Sequence, residues 1–266
     1  MDLSLLLKAL LLGLVEGATE FLPISSTGHL IIVGDLIHFL DKEKRDVFEI
    51  VIQLGSILSV CWLYHARLFK VVRTLKSDVQ AQRFVLQLLV GFLPLAILGL
   101  KFHHEIKEVL FKPVPVAIAL IVGGFVILFI EKLSLKAKIL NIESMTVLDA
   151  FKIGCAQALA LIPGVSRSGA TILGGMSFGL SRQVATEFSF FLAIPVMFAA
   201  TGYDLLKNRG LLNVDDAGLF LVGFIAAFLS ALIAIKTLIR YVAGHDFKIF
   251  AWYRIALGVA VIAYFW

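Results

Sequence analysis

Charge is scarce in this chain. Only 16% of its 266 residues are Asp, Glu, Lys or Arg, against 60% hydrophobic residues and a mean hydropathy of +0.96. That balance excludes an ordinary soluble domain and a disordered tail. Cysteine is nearly absent. Cys61 and Cys155 both lie in apolar segments, where they suit packing and provide neither a disulfide framework nor metal-ligand spacing. The apolar run at 3–15 lacks a basic flank and a small-residue cleavage site, so it is expected to be mature protein and not a signal peptide. What remains is a polytopic membrane protein. A net charge of +5 fits basic loops that meet anionic head groups of membrane lipids, and no nucleic-acid partner is called for.

Six apolar runs are long enough for a bilayer crossing of about 20 residues: 46–66, 84–101, 114–131, 184–204, 217–239 and 247–266. Two polar clusters interrupt the remaining apolar sequence, EGATEFLPISSTGH at 16–29 and PGVSRSGAT at 163–171. Each stands at a bend before an arm too short to cross, 27–40 and 169–180, which suits a re-entrant hairpin. The halves also echo one another. SSTG parallels SRSG at an offset of 141 residues, and Glu49 parallels Glu187 at 138. By parity the two related spans run in opposite directions, so the expected fold is all-α with an inverted-topology repeat, six transmembrane helices and two re-entrant helical hairpins whose tips meet at mid-membrane. One integral membrane domain, 1–266, divides into repeats at about 1–112 and 113–266. The face with the loops at 67–83, 132–152, 182 and 236–248 carries 13 Lys and Arg and the other 9, so both termini are expected outside.

Ionisable groups at membrane depth cost at least about 2.5 kcal/mol each and mark a functional site by default. Glu16 and Glu20, four residues apart, share one helix face, where paired carboxylates suit a proton, Mg²⁺ or Ca²⁺. Ser25, Ser26 and Thr27 offer N-caps to the next helix, and His29 falls in its first turn, where an imidazole beside hydroxyls is a general base or nucleophile, or else a hydrogen-bonded packing residue. Arg167 is a forked, permanent cation that wants a phosphate or carboxylate, with Ser166, Ser168 and Thr171 as further donors. A structural ion pair between Arg167 and Glu16 or Glu20 is the alternative. Gln53, Glu49, Glu187 and Ser189 are placed to line the same cavity, with packing or favourable charge at a helix N-terminus as the alternative, while Tyr253 and Arg254 are expected at the membrane interface. The lysine of a Walker loop is missing, and Leu173 stands where a type-2 phosphatidic acid phosphatase would need histidine.

EGATE, the following SSTGH and PGVSRSGAT together resemble the two signature motifs of the bacterial undecaprenyl-diphosphatase family, the bacitracin-resistance phosphatases. The resemblance extends over nearly the whole chain. It implies an inner-membrane enzyme that removes the terminal phosphate of undecaprenyl diphosphate, a polyprenyl lipid, and so returns the carrier to cell-wall synthesis. Divalent-cation dependence, a site reached from the periplasmic side and a homodimer are implied with it. Family roles fall on Glu16, Glu20, Ser26, His29, Ser166, Arg167 and Thr171. The expected chemistry has Ser26 attacking with His29 as base and Glu20 orienting it, although His29 itself or water are also compatible, and Glu16 and Glu20 hold the metal. Arg167, Ser166, Ser168, Thr171, Ser25, Thr27 and Gln53 bind substrate. A secondary transporter or lipid flippase is the rival class, because converging half-helices also serve transport.

Overall fold

The computed structural model describes residues 2–110, 112–207, 210 and 216–265, with 103–109 described by their backbone alone. Among these are eleven α-helices: α1 Leu3–Thr19, α2 Ser26–Leu36, α3 Lys42–Leu63, α4 His65–Thr74, α5 Val79–Leu110, α6 Pro113–Lys132, α7 Val147–Gln157, α8 Arg167–Ser177, α9 Arg182–Lys207, α10 Ala217–Val242 and α11 Lys248–Phe265. Six are long and apolar enough to cross a membrane, namely α3, α5 as far as Phe102, α6, α9, α10 and α11. They coincide with the six apolar runs to within a few residues, and the protein is a multi-pass membrane protein.

Helix ends follow local capping and not hydropathy, which explains two departures. Asp41 accepts a hydrogen bond from Lys44 N at 2.9 Å, so α3 starts four residues before its apolar run. Nothing breaks α5 until the segment before Pro113, and it continues to Leu110 past the end of the apolar stretch. A third departure is α4, which occupies a segment expected as loop. It is too short to span, and it alternates Arg67, Lys70 and Arg73 with the exposed Phe69 and Val72, as an interfacial helix does.

The packing comes in matched pairs. Helix α1 lies along α10, with Gly13 against the backbone of Gly223, while α7 lies along α5, with Gly154 against the backbone of Gly91. Between α6 and α11 the approach is reciprocal: a Cβ on Gly124 would sit 2.8 Å from Ala251 O, and one on Gly258 would sit 2.7 Å from Ala117 O. That register makes α6 and α11 antiparallel. Helices α3 and α9 are antiparallel too, since Tyr64 and Arg67 beyond the end of α3 meet Phe191 and Glu187 near the start of α9. The main core gathers Phe21, Ile57, Val60, Phe188, Phe190 and Phe191 between these helices. At one end the buried Glu131 of α6 accepts from the Arg182 guanidinium and from Phe247 N at 2.9 Å, tying together the starts of α9 and α11.

Candidate active site

Both polar clusters fold into the same turn. Ser25 caps α2 with φ of 71° and accepts from Gly28 N at 3.3 Å, and Ser166 caps α8 with φ of 74° and accepts from Gly169 N at 3.1 Å. A left-handed backbone is costly for a residue with a Cβ, and such strain persists where the surroundings impose it. Here the imposing group is Arg254. Its Nη1 donates to Pro23 O and Val165 O at 3.0 Å each, Nη2 to Gly164 O at 2.9 Å and Ala119 O at 3.2 Å, and Nε to Leu120 O at 3.2 Å. All five N–H donors are used. Arg254 is 1% exposed, so its expected interfacial position is corrected: it is a buried clasp between the two turns.

The turns touch directly as well. Ser168 Oγ donates to Leu22 O at 2.7 Å, and Arg167 Nη2 donates to Glu20 Oε1 at 2.7 Å. The other oxygen of Glu20 accepts from the Ser26 hydroxyl, so one carboxylate bridges the guanidinium and the hydroxyl. Glu20, Ser25, Ser26, Thr27, Gln53, Ser166 and Arg167 then line a cavity of about 200 Å³. Arg167 is held on its other side by Ser189 O at 3.3 Å and by the ring of Phe21, 5.7 Å away.

Several expected residues stand elsewhere. Ser168 and Thr171 do not line the cavity: the Thr171 hydroxyl bonds Arg167 O at 2.9 Å and Ser189 Oγ at 2.6 Å, so both side chains brace α8. Glu187 faces Arg67 at 3.7 Å, and Ser189 serves the site only through its carbonyl and its bond to Thr171. His29 is not paired with Ser26. Its Nδ1 lies 2.7 Å from Ser25 O, which can only accept, so Nδ1 carries the proton and Nε2 accepts from the Tyr253 hydroxyl at 2.7 Å. Tyr253 and Arg254 are thus site neighbours that sequence reasoning missed. The available signal was an arginine in the middle of the last apolar span, the same argument that singled out Arg167.

Glu16 is the residue that bears on a cation. It is fully buried one turn before Glu20, and neither carboxylate oxygen has a hydrogen-bond partner among the described residues. Orphaned buried oxygens next to a second carboxylate and a hydroxyl form a hard, oxygen-only donor set of the kind Mg²⁺ or Ca²⁺ takes. No cluster of three or more His, Cys, Asp or Glu suited to a metal exists among the described residues, so any ion here would rest on these two acids and on other oxygens.

Comparison with known proteins decides the family. The family described as Bacitracin resistance protein BacA matches residues 9–260. This chain belongs to the BacA family. It is similar to proteins named undecaprenyl-diphosphatase from Methylobacillus flagellatus (64% identical, covering 100% of both chains) and Nitrosospira multiformis (61%, covering 98% of this chain and 96% of the relative). A protein named undecaprenyl-diphosphatase 2 from Rhodospirillum rubrum is 62% identical, covering 100% of this chain and 97% of the relative. As a BacA-family member the chain is an enzyme of the phosphatase class, and the two motifs that carried the sequence resemblance are the two turns that meet at the cavity.

Proposed function

We propose that this protein hydrolyses undecaprenyl diphosphate to undecaprenyl phosphate and inorganic phosphate, and so recycles the lipid carrier of cell-wall synthesis and confers bacitracin resistance. One observation carries the reading: Glu20 bridges Arg167 and Ser26 on the wall of a single cavity. A guanidinium, a carboxylate and a hydroxyl linked in that order are the parts needed for phosphoryl transfer. The diphosphate draws Arg167 away from Glu20, and the fork holds the terminal phosphoryl oxygens. With Arg167 drawn off, Glu20 keeps its hydrogen bond from the Ser26 hydroxyl and takes that proton. Ser26 Oγ then bonds the terminal phosphorus while the bridging P–O bond breaks, its electrons leaving on undecaprenyl phosphate. Water then attacks the phosphorus of the phosphoserine, the Ser26 Oγ–P bond breaks, inorganic phosphate leaves, and Ser26 Oγ regains its proton from Glu20. His29, locked between Ser25 O and Tyr253, fixes the first turn of α2 and hence the Ser26 backbone. Glu16 and Glu20 would hold a divalent cation, which when bound supplies charge neutralisation at the phosphate oxygens.

The same reading takes the fold as an inverted repeat with two re-entrant hairpins. Supporting it are the shared serine caps 141 residues apart, the matched pairing of α1 with α10 and α7 with α5, and the antiparallel packing of the related helices α6 and α11. The site then opens toward the periplasmic side, the face with fewer basic residues. Homodimer formation belongs to the reading through the family resemblance.

The test uses purified protein in detergent with farnesyl diphosphate or undecaprenyl diphosphate, Mg²⁺ and no gradient. Wild type is expected to release phosphate, and Arg167→Ala is expected to lose about 10² to 10³ of the turnover, as for other deleted charge-stabilising donors. A transporter would bind the lipid and release none. Chelation with EDTA is expected to stop turnover, and full activity in EDTA would remove the cation while leaving the hydroxyl mechanism intact.

A further inference from the structure

The polar cavity adjoins a second, apolar one. A groove of about 390 Å³ between α5 and α9 shares Leu95, Leu161, Val196 and Ala200 with the polar cavity and continues past Ala96, Gly99 and Ala199 to Tyr203 and Asp204. Its size is that of a small-molecule site. Its position breaks the pairing of the two halves. On the related side, α1 runs 17 residues along α10, and neither α10 nor α3 contains proline. Here α7 stops after 11 residues in a 3₁₀ turn at Ala158–Leu161, and α5 and α9 carry Pro94 and Pro195 inside the helix. A mid-helix proline cannot donate to the carbonyl four residues earlier and bends the helix. The groove residues Leu95 and Val196 each directly follow a proline, so the gap opens where both walls are bent.

From this asymmetry we infer that the α5–α9 groove is the binding site for the diphosphate-proximal isoprene units of the polyprenyl substrate. The inference rests on the phosphatase reading above. The occupant must be an extended apolar chain joined to an anion, because the groove has an apolar floor and its inner end is the wall beside Arg167. A prenyl chain leaving the bilayer for this groove exchanges one apolar medium for another, so little transfer free energy is gained. The gain is orientation: a chain laid in a fixed channel presents its terminal phosphorus to Ser26 in one pose. Blocking the groove should therefore lower kcat/KM in proportion to chain length and leave the diphosphate chemistry untouched.

Ala96→Phe and Ala199→Phe fill the groove from opposite walls and lie outside the polar cavity. Ile97→Phe adds bulk to the lipid-facing side of α5 as a control, Ile97 being 60% exposed. Both groove variants are expected to lower kcat/KM for farnesyl and geranylgeranyl diphosphate by about tenfold or more, the scale of a pocket that excludes hydrocarbon, and to change that for dimethylallyl diphosphate by less than about twofold. Ile97→Phe is expected to match wild type on all three. Equal losses on short and long substrates, or no loss on the long ones, overturn the assignment. Independently of turnover, farnesyl diphosphate with a diazirine on its terminal isoprene is expected to label α5 or α9 in wild type. That label should be competed by unlabelled farnesyl diphosphate and absent from Ala96→Phe. Label on other helices, or label that is not competed and so marks a bulk-lipid groove, also overturns it. Absence of phosphate release from every substrate by wild type would instead fail the phosphatase reading, with the labelling result still deciding the groove.

Discussion

Two arginines are buried between apolar helices, and their surroundings give them opposite jobs. Arg167 is paired with a carboxylate that lines the cavity, so an anion can compete for it. Arg254 spends every donor on main-chain carbonyls from α6 and from both turns, so no donor is left for a ligand. Lysine substitution separates the roles. Arg254→Lys keeps the charge but offers three donors where five carbonyls wait, and stranded buried polar groups cost on the order of 1–3 kcal/mol each. That variant is expected to show a Tm in detergent lowered by several degrees together with lost activity. Arg167→Lys is expected to keep a near-wild-type Tm while turnover falls about a hundredfold, because a point charge cannot replace the bidentate fork. A normal Tm for Arg254→Lys would deny it the clasp role. The sequence made Arg167 legible because serines and glycines surround it, whereas Arg254 sits in plain apolar sequence and its carbonyl partners come from segments 89 to 231 residues away. His29 was found by type: spacing put it near Ser26, but only coordinates show that both ring nitrogens are engaged with Ser25 and Tyr253.

At the scale of elements, the two short helices α2 and α8 begin in the same strained way. Spacing left three candidates for the first cap; Ser25 takes it because its oxygen reaches Gly28 N from the left-handed conformation. The two costs can be told apart at Ser166, whose φ is 74°. Alanine removes the cap and keeps the Cβ in the unfavourable region, while glycine removes the cap and relieves the backbone. Ser166→Ala is therefore expected to be the more destabilising by roughly 1 kcal/mol, since N-cap serine to alanine costs about 0.5–2 kcal/mol and serine to glycine only a few tenths. Denaturant unfolding in mixed micelles, followed by circular dichroism, measures the difference, and the reverse order would mean that the turn carries no strain. Long elements were legible in advance for a simple reason: the bilayer demands about 20 apolar residues, and that signal is strong. Helix α4 and the tail of α5 were not, because charged and polar residues interrupt both and the hydropathy signal stops short of them.

For the whole molecule, the proposed inverted repeat makes a claim about sides. Helix α3 begins directly after the first half-helix pair and α9 directly after the second, so their preceding loops mark the entry face of each hairpin. If each pair dips in and returns, three crossings, α3, α5 and α6, separate the loop at Asp41 from the loop at Ser181, and an odd number puts them on opposite faces. Were either pair instead two full crossings, the turn bearing Glu20 and the turn bearing Arg167 could not both lie at one depth, yet those side chains are 2.7 Å apart. Single cysteines at Lys42 and at Gln183, in a background with Cys61 and Cys155 replaced by serine, test this directly. In intact spheroplasts a membrane-impermeant maleimide is expected to label the cysteine at 42 and to reach the one at 183 only after permeabilisation, since the loops on the side of Ser181 carry more Lys and Arg. Exchange of the two patterns would reverse the orientation and keep the repeat. Labelling of both from one side would remove the inversion, and the meeting of the two turns would then need α1 and α2, or α7 and α8, to reach the cavity by a route that short arms of 17, 11, 11 and 11 residues do not provide.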